Sequence, residues 1–263
     1  MAMPLKHAAT GGAGRLARSS YREFALTDRR LSDVVACAWA GEGGWTRTLR
    51  LLPDGCVDLV WDGESLRAFV ASAVARWAFL DGSARNVGLR LRCGAAGAIL
   101  GTPLAGWQGV SIRVVDLWGS LAADAEARLA VLRDPAAQAE ALEALVSRRL
   151  DGGAWPDRVV IAAAQRLAAP TATVGATAAA SEAGERALRQ RFAEQVGLSP
   201  KATHRVLRFA ALVRRLPELA AGAIAPAGVA VELGYADQAH MGRECVRIAG
   251  SSPGALLRAW RAA

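Results

Sequence analysis

Between residues 21 and 115 the apolar positions come in short runs, VVACAWA, TRTLRLL, CVDLVWD, LRAFVASAV, NVGLRLRC and VSIRVVD, separated by GEGG, PDG, DGE and DGS. Runs of this length, rich in Val, Leu and Trp and bounded by Gly/Asp turns, read as strands. Their succession predicts a compact antiparallel barrel or sandwich. The exception is GAAGAILGTPLAGW at 94–107, whose small residues and late Pro103 predict a short helix and then a turn. From Asp116 the spacing becomes helical. Leu117, Leu121, Ala125, Leu129 and Leu132 share one face, and after Pro135, which suits a first helical turn, Ala141, Leu142, Ala144, Leu145 and Leu150 continue it. Two helices therefore close a β-rich part over residues 21–151. Residues 1–20, small, Gly-rich and basic, read as a flexible N-terminus without the apolar core of a secretory signal.

Asp151-Gly152-Gly153-Ala154-Trp155-Pro156 breaks the helical pattern and marks the expected domain boundary. Everything over 157–263 reads as helix. Asp157 to Leu167 is amphipathic, and Pro170-Thr171 is expected to stop it and cap the next helix. A further helix runs from about Glu185 to Gln195. Ser199-Pro200 gives an N-cap with proline at the first helical position, opening a long helix through about Leu216, roughly 25 Å at 1.5 Å per residue. Short and longer helices follow Pro226 and Asp237, and Ser252-Pro253 opens the last. The predicted fold class is α+β: a β-rich N-terminal barrel or sandwich with closing helices, then an all-α domain.

Within that domain the chain repeats itself. TATVGATAAASEAGERALRQRFAEQVGLSP (171–200) and IAPAGVAVELGYADQAHMGRECVRIAGSSP (224–253) are both 30 residues long and both end in G-x-S-P. In register, Leu188 meets Met241, Arg191 meets Glu244, Phe192 meets Cys245, Gly197 meets Gly250 and Pro200 meets Pro253. A duplicated helix-turn-helix accounts for this spacing. Its second helix lies in the DNA major groove, with the N-terminal turns against base edges. Helical periodicity sends Leu188, Phe192, Met241 and Cys245 inward. It leaves Arg186, Arg189 and Gln190 outward in one copy, and Gln238, His240 and Arg243 in the other. Arg and Gln can each make bidentate contacts, to guanine and adenine respectively. Asp237 reads as the N-cap of the second recognition helix, and Tyr235 as packed between helices.

The second copy, GYADQAHMGREC followed by G-x-S-P, resembles the signature of the AraC family of bacterial transcription regulators, and LRQRF with GLSPK resembles that family's first copy. The resemblance covers residues 157–260. It implies two helix-turn-helix units joined by a long helix, reading successive major-groove segments of one DNA face without requiring a dimer. By position, the family's base-reading residues fall on Arg186, Arg189, Gln190, Gln238, Ala239, His240 and Arg243. Lys201, Arg205 and neighbouring backbone amides are expected to meet phosphates. Three departures stand out: Glu182-Ala183-Gly184 replaces a Gly-x-Ser type turn, Ala239 is too small to hydrogen-bond, and Cys245 stands where the family usually has Phe. The N-terminal half resembles, less specifically, the uncharacterised β-rich domain that precedes such modules in actinobacterial and proteobacterial regulators, with LPDGCVDLVWD its clearest landmark.

Charge sharpens this picture. Residues 1–151 carry 18 basic and 16 acidic side chains, whereas residues 152–263 carry 14 and 8, so most of the +8 net charge lies in the C-terminal part. Such a field favours a polyanion. Cys37, Cys56, Cys93 and Cys245 lie far apart with only three histidines, so neither zinc spacing nor a disulfide framework is present. Asp54, Cys56 and Asp58 read respectively as a turn former, a small core residue, and an exposed or arginine-paired acid. Redox sensing by Cys56 or Cys93 remains open at this level. No G-x-S-x-G, P-loop, H-E-x-x-H or dinucleotide fingerprint occurs, so neither catalysis nor a cofactor is expected. The expected partner is double-stranded DNA, with RNA polymerase if the protein activates, no membrane, a cytoplasmic location, and a monomer or homodimer. For the N-terminal domain three readings stay open: an effector pocket, which Trp45, Trp61, Trp77 and Trp107 could line; a surface for a protein partner or dimerisation; or a small-molecule enzyme.

Overall fold

The computed structural model describes residues 8–9, 20–42, 47–80, 85–181 and 183–262 of the chain. Glu182, Trp45 and most of the expected N-terminal arm lie outside these. Ala8–Ala9 (β1), inside that arm, is a short strand rather than free chain, because its backbone pairs with Leu49 and Arg50. The strands that follow are β2 (Ser20–Phe24), β3 (Val35–Glu42), β4 (Arg47–Leu51), β5 (Val57–Trp61), β6 (Leu66–Phe69), β7 (Arg76–Leu80), β8 (Arg85–Leu91) and β9 (Ser111–Arg113). They form two antiparallel sheets, one in the order β2-β3-β8-β5-β6-β9 and the other β1-β4-β7. The predicted helix in the Ala/Gly-rich stretch is α1 (Ala96–Leu100), ended by Gly101 in the left-handed region.

Alternation along the strands gives the large sheet two unlike faces. Val57, Leu59, Trp61, Leu66, Ala68, Val87, Leu89 and Leu91 belong to the main core, closed by α2 (Val115–Trp118), α3 (Ser120–Val131) and α4 (Pro135–Asp151). The other face carries an unbroken cross-strand row, Cys37–Arg90–Asp58–Phe69–Ser111. Pro135 opens α4, as the sequence predicts, and Asp134 caps it. Glu143, buried on α4, accepts from the Thr27 N–H and hydroxyl and from the Asp28 N–H, stapling the chain between β2 and β3 to the helix. Arg30 and Ser147 donate to the Asp28 carboxyl and hold it near pKa 2.

The remaining helices are α5 (Arg158–Leu167), α6 (Val174–Ala179), α7 (Gly184–Gln195), α8 (Pro200–Arg214), α9 (Leu216–Ala220), α10 (Pro226–Glu232), α11 (Gln238–Ala249) and α12 (Pro253–Ala262). Two local expectations shift. Thr173 rather than Thr171 caps α6, its hydroxyl accepting from the Ala176 N–H at 3.1 Å. The long helix stops at Arg214 rather than Leu216, because Pro217 has no N–H to give the Val213 carbonyl four residues back and its ring crowds that carbonyl, while it suits the first turn of α9. Val160, Leu167, Leu188, Phe192 and Val206 belong to the same hydrophobic cluster as the large sheet. Leu212, Val229, Met241, Cys245 and Ile248 form a second one. Among the described residues no helix is long and apolar enough to cross a membrane.

Candidate nucleic-acid interface

α6–α7 and α10–α11 are the two helix-turn-helix units, and their recognition helices, α7 and α11, are each 12 residues long. Each is pinned by the predicted pair of buried side chains, Leu188 with Phe192 and Met241 with Cys245, none more than 1% exposed. The G-x-S-P endings do the same work twice. Gly197 and Gly250 have positive φ, 80° and 63°, and turn the chain out of the helix. Ser199 and Ser252 then accept from the N–H groups of Ala202 and Ala255, with proline at the first position of α8 and α12.

Five of the six residues that periodicity sends outward are exposed, and so is Ala239, which the resemblance adds. Arg186, Arg189 and Gln190 are exposed on α7, and Gln238, Ala239 and Arg243 on α11. On α7, Arg189 lies 4.0 Å from Glu185 and Gln190 donates to Glu194 at 3.0 Å, exposed contacts that a base or phosphate can replace at small cost. His240 is half-buried. Its Nδ1 accepts from the Ala236 N–H at 3.2 Å and its ring stands edge-on to Tyr235, so the neutral ring carries its proton on Nε2, away from that bond. The Asp237 carboxylate caps α11 by accepting from the His240 N–H. Tyr235 is buried beneath the Arg208 guanidinium, 4.3 Å from the ring centroid, and burial pushes its hydroxyl up to about 12.

Lys201 is exposed at the start of α8, but Arg205 departs from the expectation of a free phosphate-binding side chain. Its Nε donates to Glu244 Oε2 at 2.6 Å and its Nη2 to Oε1 at 3.2 Å, a two-point pair that ties the linker helix to α11. Burial pushes the Glu244 carboxyl up. The hydrogen bond and charge of Arg205, with the charges of Arg247 and Arg208, outweigh this and hold it below the ordinary glutamate range. At the equivalent position of the first unit, Arg191 reaches Asp157, the N-cap of α5, at 2.7 Å. Sequence reading aligned Arg191 with Glu244 but missed their partners. The usable signal was a charge flanking the buried stripe in both copies.

Of the N-terminal candidates, Asp54 does shape its turn, Oδ1 accepting from the Cys56 N–H at 3.0 Å, and Asp58 pairs with Arg90 at 3.1 Å. Cys56 is not a core residue. It lines a cleft of about 390 Å³ between the two sheets, because the turn after Pro53 carries it to the cleft wall. Burial pushes the Cys93 thiol up to about 12, which keeps it protonated and unreactive near neutral pH. Trp77 lines the cleft, Trp61 is core, and Trp107 is exposed outside it. No group of three metal-ligating side chains occurs among the described residues.

Residues 177–259 match the family model of a helix-turn-helix domain, and residues 25–113 that of a domain of unknown function, DUF6597. No curated protein matches the chain in sequence. Among solved structures, one crystal form of ToxT from Vibrio cholerae aligns at 8% identity over 92% of this chain and 98% of that one, with a TM-score of 0.43. ToxT from Vibrio cholerae O395 aligns at 9% identity over 83% and 90%, with a TM-score of 0.42. These likenesses are too distant to transfer any residue's role.

Proposed function

The C-terminal part of the chain is an AraC-type helix-turn-helix DNA-binding domain and the protein a DNA-binding transcription regulator; from that premise we propose that one chain reads two neighbouring major-groove segments with α7 and α11. The observation that carries the reading is the duplication itself. Two recognition helices, each anchored by two buried side chains and closed by a G-x-S-P turn, expose Arg186, Arg189 and Gln190 on one and Gln238, Ala239, His240 and Arg243 on the other. Arginine and glutamine there suit guanine and adenine edges. His240 contributes one Nε2 donor. Lys201 and amides at the α8 start meet phosphate, while Arg205 positions α11 through Glu244. The domain boundary falls at residues 151–157. The cleft between the sheets favours a small-molecule effector over a purely protein-binding role for the N-terminal domain. The reading is of a cytoplasmic regulator, not an enzyme.

Selection of the purified full chain against random duplex DNA, repeated over a salt series, tests this. The expected result is a motif spanning two adjacent major-groove segments, with log affinity falling steeply against log salt, about 0.9 per phosphate contact. Enrichment of a single short half-site, insensitive to changes in Arg186 and Arg189, would reduce the protein to one reading unit.

A further inference from the structure

The register that sets Leu188 on Met241 also sets Arg186 on Ala239, Arg189 on Gly242, Gln190 on Arg243 and Ala193 on Val246. The two recognition helices thus present different chemistry at matching places. In α11 the buried Met241, Cys245 and Ile248 mark the core side, and at about 3.6 residues per turn the line opposite them runs through Ala239, Arg243 and Val246. All three are exposed, Val246 by 50%. Arg243 has no ion pair among the described residues, whereas Arg247 on its flank lies 3.8 Å from Glu244. The outermost line of α11 is therefore one unpaired guanidinium between two hydrocarbon side chains. On α7 the same line is Arg186, Gln190 and the half-exposed Ala193, so hydrogen-bonding groups fill its first two places.

Gly242 borders this line. Its backbone is ordinary helix and a Cβ there would meet no atom within 4 Å, so neither packing nor conformation calls for glycine. Glycine weakens a helix interior. Its effect here lies outside the helix: bare backbone beside Arg243, where α7 has the long side chain of Arg189, lets an opposing surface come close. The far end of α11 is taken up by the β domain. The Ala75 N–H donates to the Ile248 carbonyl at 2.6 Å, and Arg50, stacked on Trp77 5.7 Å from its ring centroid, donates to the Ser251 hydroxyl at 3.2 Å. Gly250, the C-cap of α11, is fitted so closely to that guanidinium that a Cβ there would lie 2.6 Å from Arg50 Nη2. The open line therefore ends at Val246, about 10 Å along the axis from Ala239, or about three base-pair steps.

In the major groove thymine alone among the four bases carries a methyl group, while guanine offers two acceptors that suit arginine. Resting on the regulator reading above, we propose that α11 reads thymine methyl groups: Ala239 and Val246 each pack on one, on either side of a guanine held by Arg243, with Gly242 admitting the groove edge close to the helix. α7 reads its segment by hydrogen bonds instead. The unlike halves give the DNA site a direction, since a site turned end for end sets each helix against the other's bases.

The test rebuilds the best duplex from the selection with 2′-deoxyuridine at each thymine in turn, which removes the methyl group and keeps the base pair. The α11 segment is the one whose guanine preference relaxes in Arg243→Ala. Fluorescence anisotropy with the full chain at fixed salt should show binding weakened about fourfold at one thymine on each side of that guanine, the worth of one buried methyl group. No thymine of the α7 segment should matter as much. Ala239→Gly should erase the loss at one of the two positions and Val246→Ser at the other. Each variant is compared with itself on the two duplexes, so a general loss of helix stability cancels. Gly242→Gln, a long side chain placed in open space, should weaken binding about tenfold with no fall in the thermal midpoint. An α11 segment with no thymine beside its guanine, losses within about twofold at every uridine, or losses unchanged in both Ala239→Gly and Val246→Ser overturn the methyl reading. A two-segment motif without methyl dependence overturns this proposal alone, whereas selection that yields no second segment overturns the two-segment reading with it.

Discussion

In the first helix-turn-helix unit, Leu188 and Phe192 join the same hydrophobic cluster as the large sheet, whereas Met241 and Cys245 of the second belong to a smaller cluster of their own. The seating of the two recognition helices follows suit. The end of α7 is held against α1, where the Leu104 N–H donates to the Glu194 carbonyl at 2.8 Å and Gly97 admits the Gln195 backbone so closely that a Cβ would lie 2.7 Å from its Cα. α11 instead meets the N-terminal domain at its C-terminal end, through polar contacts and the packing of Leu52 and Ala75 into the second cluster, and is braced from α8 by Arg205. One unit is thus built into the β domain's core and the other leans on its surface. The second is the unit whose position a modest free energy can change, since elements with few shared apolar contacts open most readily.

The largest effect that would break this contrast comes from the cores. Phe192→Ala should cost about 3 to 5 kcal/mol and lower the urea midpoint for the β domain and first unit together. Met241→Ala should cost about 2 to 5 kcal/mol, with exchange protection lost over residues 212–260 and retained in the large sheet. Equal loss of protection everywhere in Met241→Ala would mean that the two clusters unfold as one.

The braces come next. Arg205→Ala leaves Glu244, 7% exposed, with Arg247 3.8 Å away and the charge of Arg208 but no two-point partner, and should cost about 2 kcal/mol. Arg191→Ala in the first unit, where the pair is more open to solvent, should cost about 1 kcal/mol or less. Denaturant unfolding of both variants settles the order. On DNA, Arg243→Ala should weaken the best site by about 1 to 3 kcal/mol and relax the preference at one base pair, while Lys201→Ala should weaken all sequences alike and reduce the salt slope by about 1. Equal loss on all sequences for Arg243→Ala would make it a phosphate contact.

Two smaller effects concern α11 alone. Asp237→Ala removes its cap and should cost about 1 kcal/mol, read as faster exchange in the first turn; α7, which has no side-chain cap at Ala183, offers no matching position. Because the Glu244 carboxyl is held below its ordinary value, its contribution is complete above the unfolded pKa of about 4.3 and is lost as pH falls through the lower folded value. Exchange protection in α11 should therefore stay level from neutral pH down to about 5 and decline below about 4.3, a decline that Glu244→Gln should flatten.

Most of the C-terminal domain was legible because its signals are local. Asp157, Ser199 and Asp237 cap helices that begin one residue later, and Gly197 and Gly250 end theirs, with every bond confined to a few residues. The outward residues were legible as types for the same reason, since a 3.6-residue period sorts Leu188 from Arg189 without tertiary help. Arg205 was misread because an exposed and a paired arginine look alike in sequence, and its partner lies 39 residues away. Cys56 was misread because alternation tells which face of a strand a residue occupies, not whether a second sheet stands off that face.

The sequence by itself therefore determined most of the strands and helices, though not β1, β2, β7 or α9, together with the duplicated unit and most of the outward side chains of both recognition helices, consequences of backbone periodicity and hydrogen bonds closed within a turn. Only the tertiary structure decided that the first unit shares its core with the β domain, that Arg205 braces α11, and that Trp77, Arg50 and Ser251 meet beside a cleft. Those depend on contacts such as Arg50 to Ser251, 201 residues apart, whose formation rests on how two sheets and eight later helices pack rather than on any property of the neighbouring chain.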